Sequence, residues 1–194
     1  KPSVGDAPTM PVVAFQLHSL KAYAGMRERL GTLKVSGHEA LPEVSAVRQA
    51  TDLRGLMSRL RHLFLEDETL SDKIVAGHGQ SGTVLTPDDG LLPALVHVYS
   101  GPDQRYLNFY GPPGTIETLS YAALLRESAP DPDTQLPDLR NRVAFVGFSD
   151  LYDPGQPDRF FTVYTNEDGV DLSGVEIAAT AFANLVDDSS LGTL

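Results

Sequence analysis

The sequence predicts an α/β domain: a layered sheet with strand, helix, strand and helix in that order in the C-terminal half, and an added amphipathic helix in the N-terminal half. Three stretches carry this expectation. The continuous apolar run "RNRVAFVGFSD" reads as a strand covered on both faces. The segment "LSGVEIAATAFANLVDD" places Val175, Ala178, Ala179, Phe182, Leu185 and Val186 at helical spacing behind a capping box of Ser173 and Glu176. The segment "EVSAVRQATDLRGLMSRLRHLFLEDE" carries a longer stripe of Val47, Ala50, Leu53, Met57, Leu60 and Phe64.

The elements follow in order. From Pro11 to Ala24, the spacing of Val13, Leu17, Leu20 and Ala24 predicts an amphipathic helix, and Gly25 and Gly31 weaken its continuation. The long stripe predicts a helix from about Ser45 to about Leu65. Arg48 and Arg59 fall well off that stripe and Arg54 and Arg61 at its border, as a solvated face requires. The Gly-, Asp- and Pro-rich centre of "LSDKIVAGHGQSGTVLTPDDGLLPALVHVYSG" reads as a loop. "LVHVYSGPDQRYLNFYG" then reads as a β-hairpin around Gly101-Pro102-Asp103-Gln104. "TLSYAALLRES" reads as a short helix capped by Ser120, and "APDPDTQLPD" as a connector.

Composition narrows the function. With 194 residues and 41% apolar content, the chain can bury a core as one sizeable domain or two small ones. No stretch approaches the roughly 18 apolar residues of a membrane span, and no signal peptide opens the chain. It begins at Lys1 without an initiator methionine, as expected of a piece of a longer protein. Fifteen basic against twenty-six acidic residues give a net charge of -11, which repels phosphate backbones and anionic membranes, so nucleic acid is excluded as a partner. The absence of cysteine removes disulfides, thiolate nucleophiles and cysteine-based metal sites.

"YGPPGTIETLSYAALL" has the outline of a phosphate loop, but Ile116 stands where the second glycine belongs and Glu117 where the lysine belongs. A carboxylate there repels a triphosphate, so the segment is a turn leading into a helix. Asp150, Asp153 and Asp158 follow the apolar run, where ligands bind beyond strand ends. With Ser149 they could hold Ca²⁺, yet they lack the alternation and closing glutamate of a calcium loop. "TNEDGVD" uses the residues of any tight turn. The histidines, His18, His38, His62, His78 and His97, form no metal-spaced pair. "GQSGT" places Thr83 where a nucleophile elbow needs glycine. No cofactor is implied.

Four ordered segments add a resemblance: "YLNFYGPPGTIETLSYAALL", "LRNRVAFVGFSDLYD", "DRFFTVY" and "SGVEIAATAFANLV". Over residues 106 to 188 the chain resembles the second type of CHASE domain, the cyclase and histidine-kinase-associated sensory extracellular family. Departures are Val163 after Thr162, where the family has proline, and Ala178 and Thr180, where it has His and Asn. Residues before 106 match weakly, and the helix within about 40 to 75 reads as an individual elaboration. The chain is thus expected to be a single sensor domain over 1 to 194, or the later part of one.

The resemblance implies an extracytoplasmic signal-input domain, itself not an enzyme. It would lie on the periplasmic or extracellular face of the membrane, anchored through flanking spans and followed by a cyclase or kinase output. It implies an unknown small-molecule or protein signal and a homodimer as a further possibility. Asp150, Asp153, Asp158 and Thr162 are the ligand-binding candidates. Two rival readings stand beside it: a metal-dependent hydrolase using Asp150, Asp153 and Asp158, and a binding protein that docks through the arginine-bearing helix.

Overall fold

Leucines at helical spacing organise the N-terminal part of the chain. The computed structural model describes residues 8–76, 90–102, 104–121, 125, 138–149, 158–165, 171–189 and 191. The chain divides into two units, one of Lys1–Asn108 with Ala181–Leu194 and one of Phe109–Thr180.

The first unit is helical. The predicted helix over Pro11 to Ala24 is two helices, α1 (Met10–His18) and α2 (Leu20–Thr32), broken at Ser19, where φ is -92° and ψ is 14°. The break re-phases the apolar face. Phe15, Ala22, Tyr23, Met26 and Leu30 are buried, whereas the expected stripe residue Leu17 is 51% exposed. α2 also continues through Gly25 and Gly31, because tertiary burial outweighs their propensity cost of about 1 kcal/mol each.

The long helix, α3 (Ala50–Glu66), starts later than expected, since Val44–Ala46 forms a 3-10 turn ahead of it. Asp52 explains the boundary: its carboxylate accepts the amides of Arg48 at 3.1 Å and Gln49 at 3.2 Å, satisfying orphan donors there. Leu53, Met57, Leu60 and Phe64 are buried as their spacing requires, joined by Leu56 and Leu63. α4 (Leu70–Ala76) follows, burying Leu70 and Ile74.

The expected hairpin is corrected. Leu91–Ser100 is a helix, α5, which buries Leu92, Leu95, Val96 and Tyr99 against the same core. Spacings of three and four decide the matter over the β preference of valine. Arg61 is not merely solvated. Its Nη1 donates to the carbonyls of Tyr99 at 2.6 Å and Gly101 at 2.9 Å, closing the end of α5.

In the second unit, Tyr121 and Leu125 are helical, in keeping with the expected short helix. β1 (Arg159–Phe160) pairs antiparallel with β2 (Leu172–Ser173), with Arg159 opposite Ser173 and Phe160 opposite Leu172. β2 leads directly into α6 (Gly174–Val186), whose residues from Ala181 count with the first unit. The apolar run "RNRVAFVGFSD" is the main correction. Residues 141–149 form no strand, and Val143, Val146 and Phe148 are 38%, 82% and 60% exposed. A β-prone run becomes a strand only beside a neighbour that takes its hydrogen bonds. Val143, Ala144, Val146 and Gly147 have no hydrogen-bond partner among the described residues. Among the described residues, helices predominate beside a two-stranded antiparallel ladder, which is broadly compatible with the expected α/β class.

Candidate functional site

The segments that resemble a family meet around the start of α6. Gly114, in the Gly-Pro-Pro-Gly-Thr turn, has a φ of 85°, a conformation open to glycine at little steric cost. Thr115 closes the turn, its amide and hydroxyl both donating to the carbonyl of Pro112, at 3.1 and 2.7 Å. The turn presents the Gly114 amide to Glu176, whose Oε1 accepts it at 2.8 Å. Glu176 is 6% exposed and sits in the first turn of α6, where the exposed amides of the helix favour a carboxylate. Ser173 fulfils its capping role: its Oγ accepts the Glu176 amide at 3.4 Å.

A second set of contacts fixes the chain entering α6. The Gly174 amide donates to the Asp158 carbonyl at 3.1 Å, and a methyl group on Gly174 would collide with the Asp158 carboxylate. Next to Asp158, Arg159 pairs its Nε with Asp171 Oδ2 at 3.5 Å, their side chains 20% and 9% exposed. Asp171 also accepts the Thr165 hydroxyl at 3.2 Å, and that hydroxyl accepts the Thr162 amide at 2.9 Å. Thr162 Oγ1 takes the Tyr164 amide at 3.2 Å. This relay joins Thr162, Thr165, Asp171 and Arg159 into one polar brace beneath the helix start. Gly147, at the end of the apolar run, packs beside Val175.

Of the predicted site residues, the structure brings Asp158 and Thr162 to this brace. Asp150 and Asp153 lie outside the described residues. Arg159, Thr165 and Asp171 were not foreseen, because their association depends on the β1–β2 register. The signal available was an arginine and an aspartate on opposite sides of the turn-forming "TNEDG". Among the described residues, no three His, Asp or Glu side chains gather closely enough to hold a metal ion. Two clefts of about 510 and 350 Å³, lined by residues such as Lys34 and Lys73 in one and His97 and Arg105 in the other, belong to the first unit. Neither is lined by a predicted site residue.

Chemically, the brace orients a helix start. Its described polar groups answer one another, which suits a frame that holds the helix in place. The CHASE2 domain family matches residues 14–193, and the chain belongs to this family of extracellular sensory domains. The match reaches well before the region from 106 to 188 that carries the sequence resemblance. No curated protein and no solved structure matches the chain. Among the described residues, no helix is long and apolar enough to cross a membrane.

Proposed function

We propose that the chain is the extracytoplasmic signal-input domain of a transmembrane signalling protein whose cytoplasmic output is a nucleotide cyclase or a kinase. The domain itself carries no catalysis. Family membership over 14–193 supports the reading, and the observation that carries it is the convergence of the family-like segments on the first turn of α6. A helix start held by one turn amide, one ion pair and one carbonyl can take two positions, and a signal that favours one of them shifts the population passed on through α6. Asp158 and Thr162 enter as parts of that frame, and Asp150 and Asp153 remain ligand candidates outside the described residues.

The intact receptor provides the test. Deleting residues 106–188, or replacing Glu176 by Ala, should uncouple cyclase or kinase output from its stimulus while leaving the output domain active. Unchanged stimulus-dependent output in both variants would sink the reading. Sequencing the coding region beyond Leu194 supplies an independent check, since a span of roughly 20 apolar residues is required near the end of α6.

A further inference from the structure

Two segments of the first unit are fastened together at the C-terminal end of α6. Asn184, 7% exposed, accepts the Asn108 amide at 2.8 Å and donates to the Asn108 carbonyl at 3.0 Å, and Tyr106 forms an antiparallel bridge with Leu191. The helix closes in a Schellman cap: the Ser189 amide donates to the Asn184 carbonyl at 3.0 Å and the Asp188 amide to the Leu185 carbonyl at 3.4 Å. Asp188 therefore has a φ of 50°, at the position that glycine usually fills. Its side chain has a use there, because Oδ2 meets Nδ1 of His97, on α5, at 2.5 Å. The cleft of about 350 Å³ lies at this junction, lined by His97, Ser100, Gly101, Pro102, Arg105 and Asp188, all within the first unit.

Both signs of charge are left unused in this cleft. Arg105 is half-buried; one N–H of its Nη2 reaches the His97 carbonyl, and the rest of its donors have no partner among the described residues. Gly101 makes room for the guanidinium, since a Cβ there would lie 2.7 Å from Arg105 Nη2 and 2.7 Å from the His97 carbonyl oxygen. Burial first holds the Arg105 guanidinium below its ordinary range, with Asp188 opposing that shift and Arg61 adding to it, so the cation has lost water without gaining a bonded anion. On the other side, Asp188 Oδ2 is engaged by His97, whereas Oδ1 has no partner among the described residues. A guanidinium fork takes a carboxylate through two parallel hydrogen bonds, and a carboxylate oxygen takes an ammonium group. A ligand with a net negative charge is repelled by a chain of net charge -11, and a zwitterion is not. The volume is at the lower end of the roughly 300–1,000 Å³ of small-molecule sites, so the ligand is small. We infer that the cleft between α5 and the end of α6 binds a small zwitterion of the amino-acid type, its carboxylate on Arg105 and its ammonium on Asp188. This binding site goes beyond the sensory reading and does not depend on it.

The probes are L-alanine, L-leucine and L-glutamine, set against acetate and methylammonium, which carry one charge each. In NMR titrations of the isotope-labelled 194-residue chain, at least one of the amino acids moves the Arg105 Nε–H and Asp188 amide resonances to saturation, binding about tenfold more tightly than either single-charge probe or better. Arg105→Gln and Asp188→Asn each weaken that binding by about tenfold or more with an unchanged circular dichroism spectrum, asparagine being at home at a positive φ. The comparison with the single-charge probes uses the unaltered chain, so it decides the matter even where a variant unfolds. Absence of a saturating shift with all of the amino acids overturns the proposal. Acetate binding as tightly as the amino acids overturns it in favour of an anion site, and methylammonium binding as tightly overturns it in favour of a cation site. Amino-acid binding that both substitutions leave intact overturns it as well.

Discussion

The Glu176 carboxylate is the single group on which the frame around α6 depends most directly. It is buried, it sits on the positive end of the helix, and it receives the Gly114 amide. Removing it breaks a charge-assisted hydrogen bond to the Gly114 amide, so Glu176→Ala should cost roughly 1.5–3 kcal/mol in denaturant unfolding. Glu176→Gln keeps an acceptor and should cost clearly less. Faster hydrogen exchange at the Gly114 amide in the alanine variant alone would identify the lost bond. Equal effects of Ala and Gln would mean that the side chain contributes packing only. The sequence made half of this legible: Ser173 and Glu176 were readable as a capping box, whereas the destination of the carboxylate lay 62 residues away.

At the scale of elements, legibility followed the strength of the period. α3 was readable because leucine and phenylalanine recur along one face, and its true start was hidden because the Asp52 cap also draws in the amides of Arg48 and Gln49. α5 was misread because Val96 and Val98 carry β preference in a segment whose burial is helical. The turn from α3 into α4 offers a titration test. Asp67 accepts Lys73 Nζ at 2.8 Å and the hydroxyl and amide of Thr69, and the lysine first and the threonine second hold its pKa down at about 2. Because the folded state favours the ionised carboxylate, this contribution is present above the ordinary carboxylate range and fades as pH falls towards 2. Lys73→Ala should move the Asp67 midpoint in NMR back towards the ordinary range, and an unmoved midpoint would assign the effect to Thr69. Tyr23 runs in the opposite direction. Burial first, opposed by Arg27, aided by Glu43 and opposed again by Arg59, pushes its phenol up to about 12. Its neutral form, bonded to the Pro42 carbonyl at 2.5 Å, stabilises the fold fully below the ordinary phenol range of about 10, and that contribution is lost as pH rises through about 12. Burial pushes the Tyr99 phenol up further still, so phenolate absorbance should show late-ionising tyrosines of which one disappears in Tyr23→Phe.

For the whole molecule the dominant quantity is charge, and composition alone reveals it. Twenty-six acidic residues against fifteen basic ones make like-charged pairs more numerous than opposite ones, so long-range electrostatics oppose folding. Salt shortens the screening length from about 30 Å at 0.01 M to about 8 Å at 0.15 M, which removes this diffuse repulsion while sparing close pairs such as Lys73 with Asp67. The melting temperature should therefore rise over that interval in sodium chloride, by about 2–4 °C for each kcal/mol of repulsion removed. A melting temperature that fell with salt would instead mean that close ion pairs such as Lys73 with Asp67 outweigh the net charge.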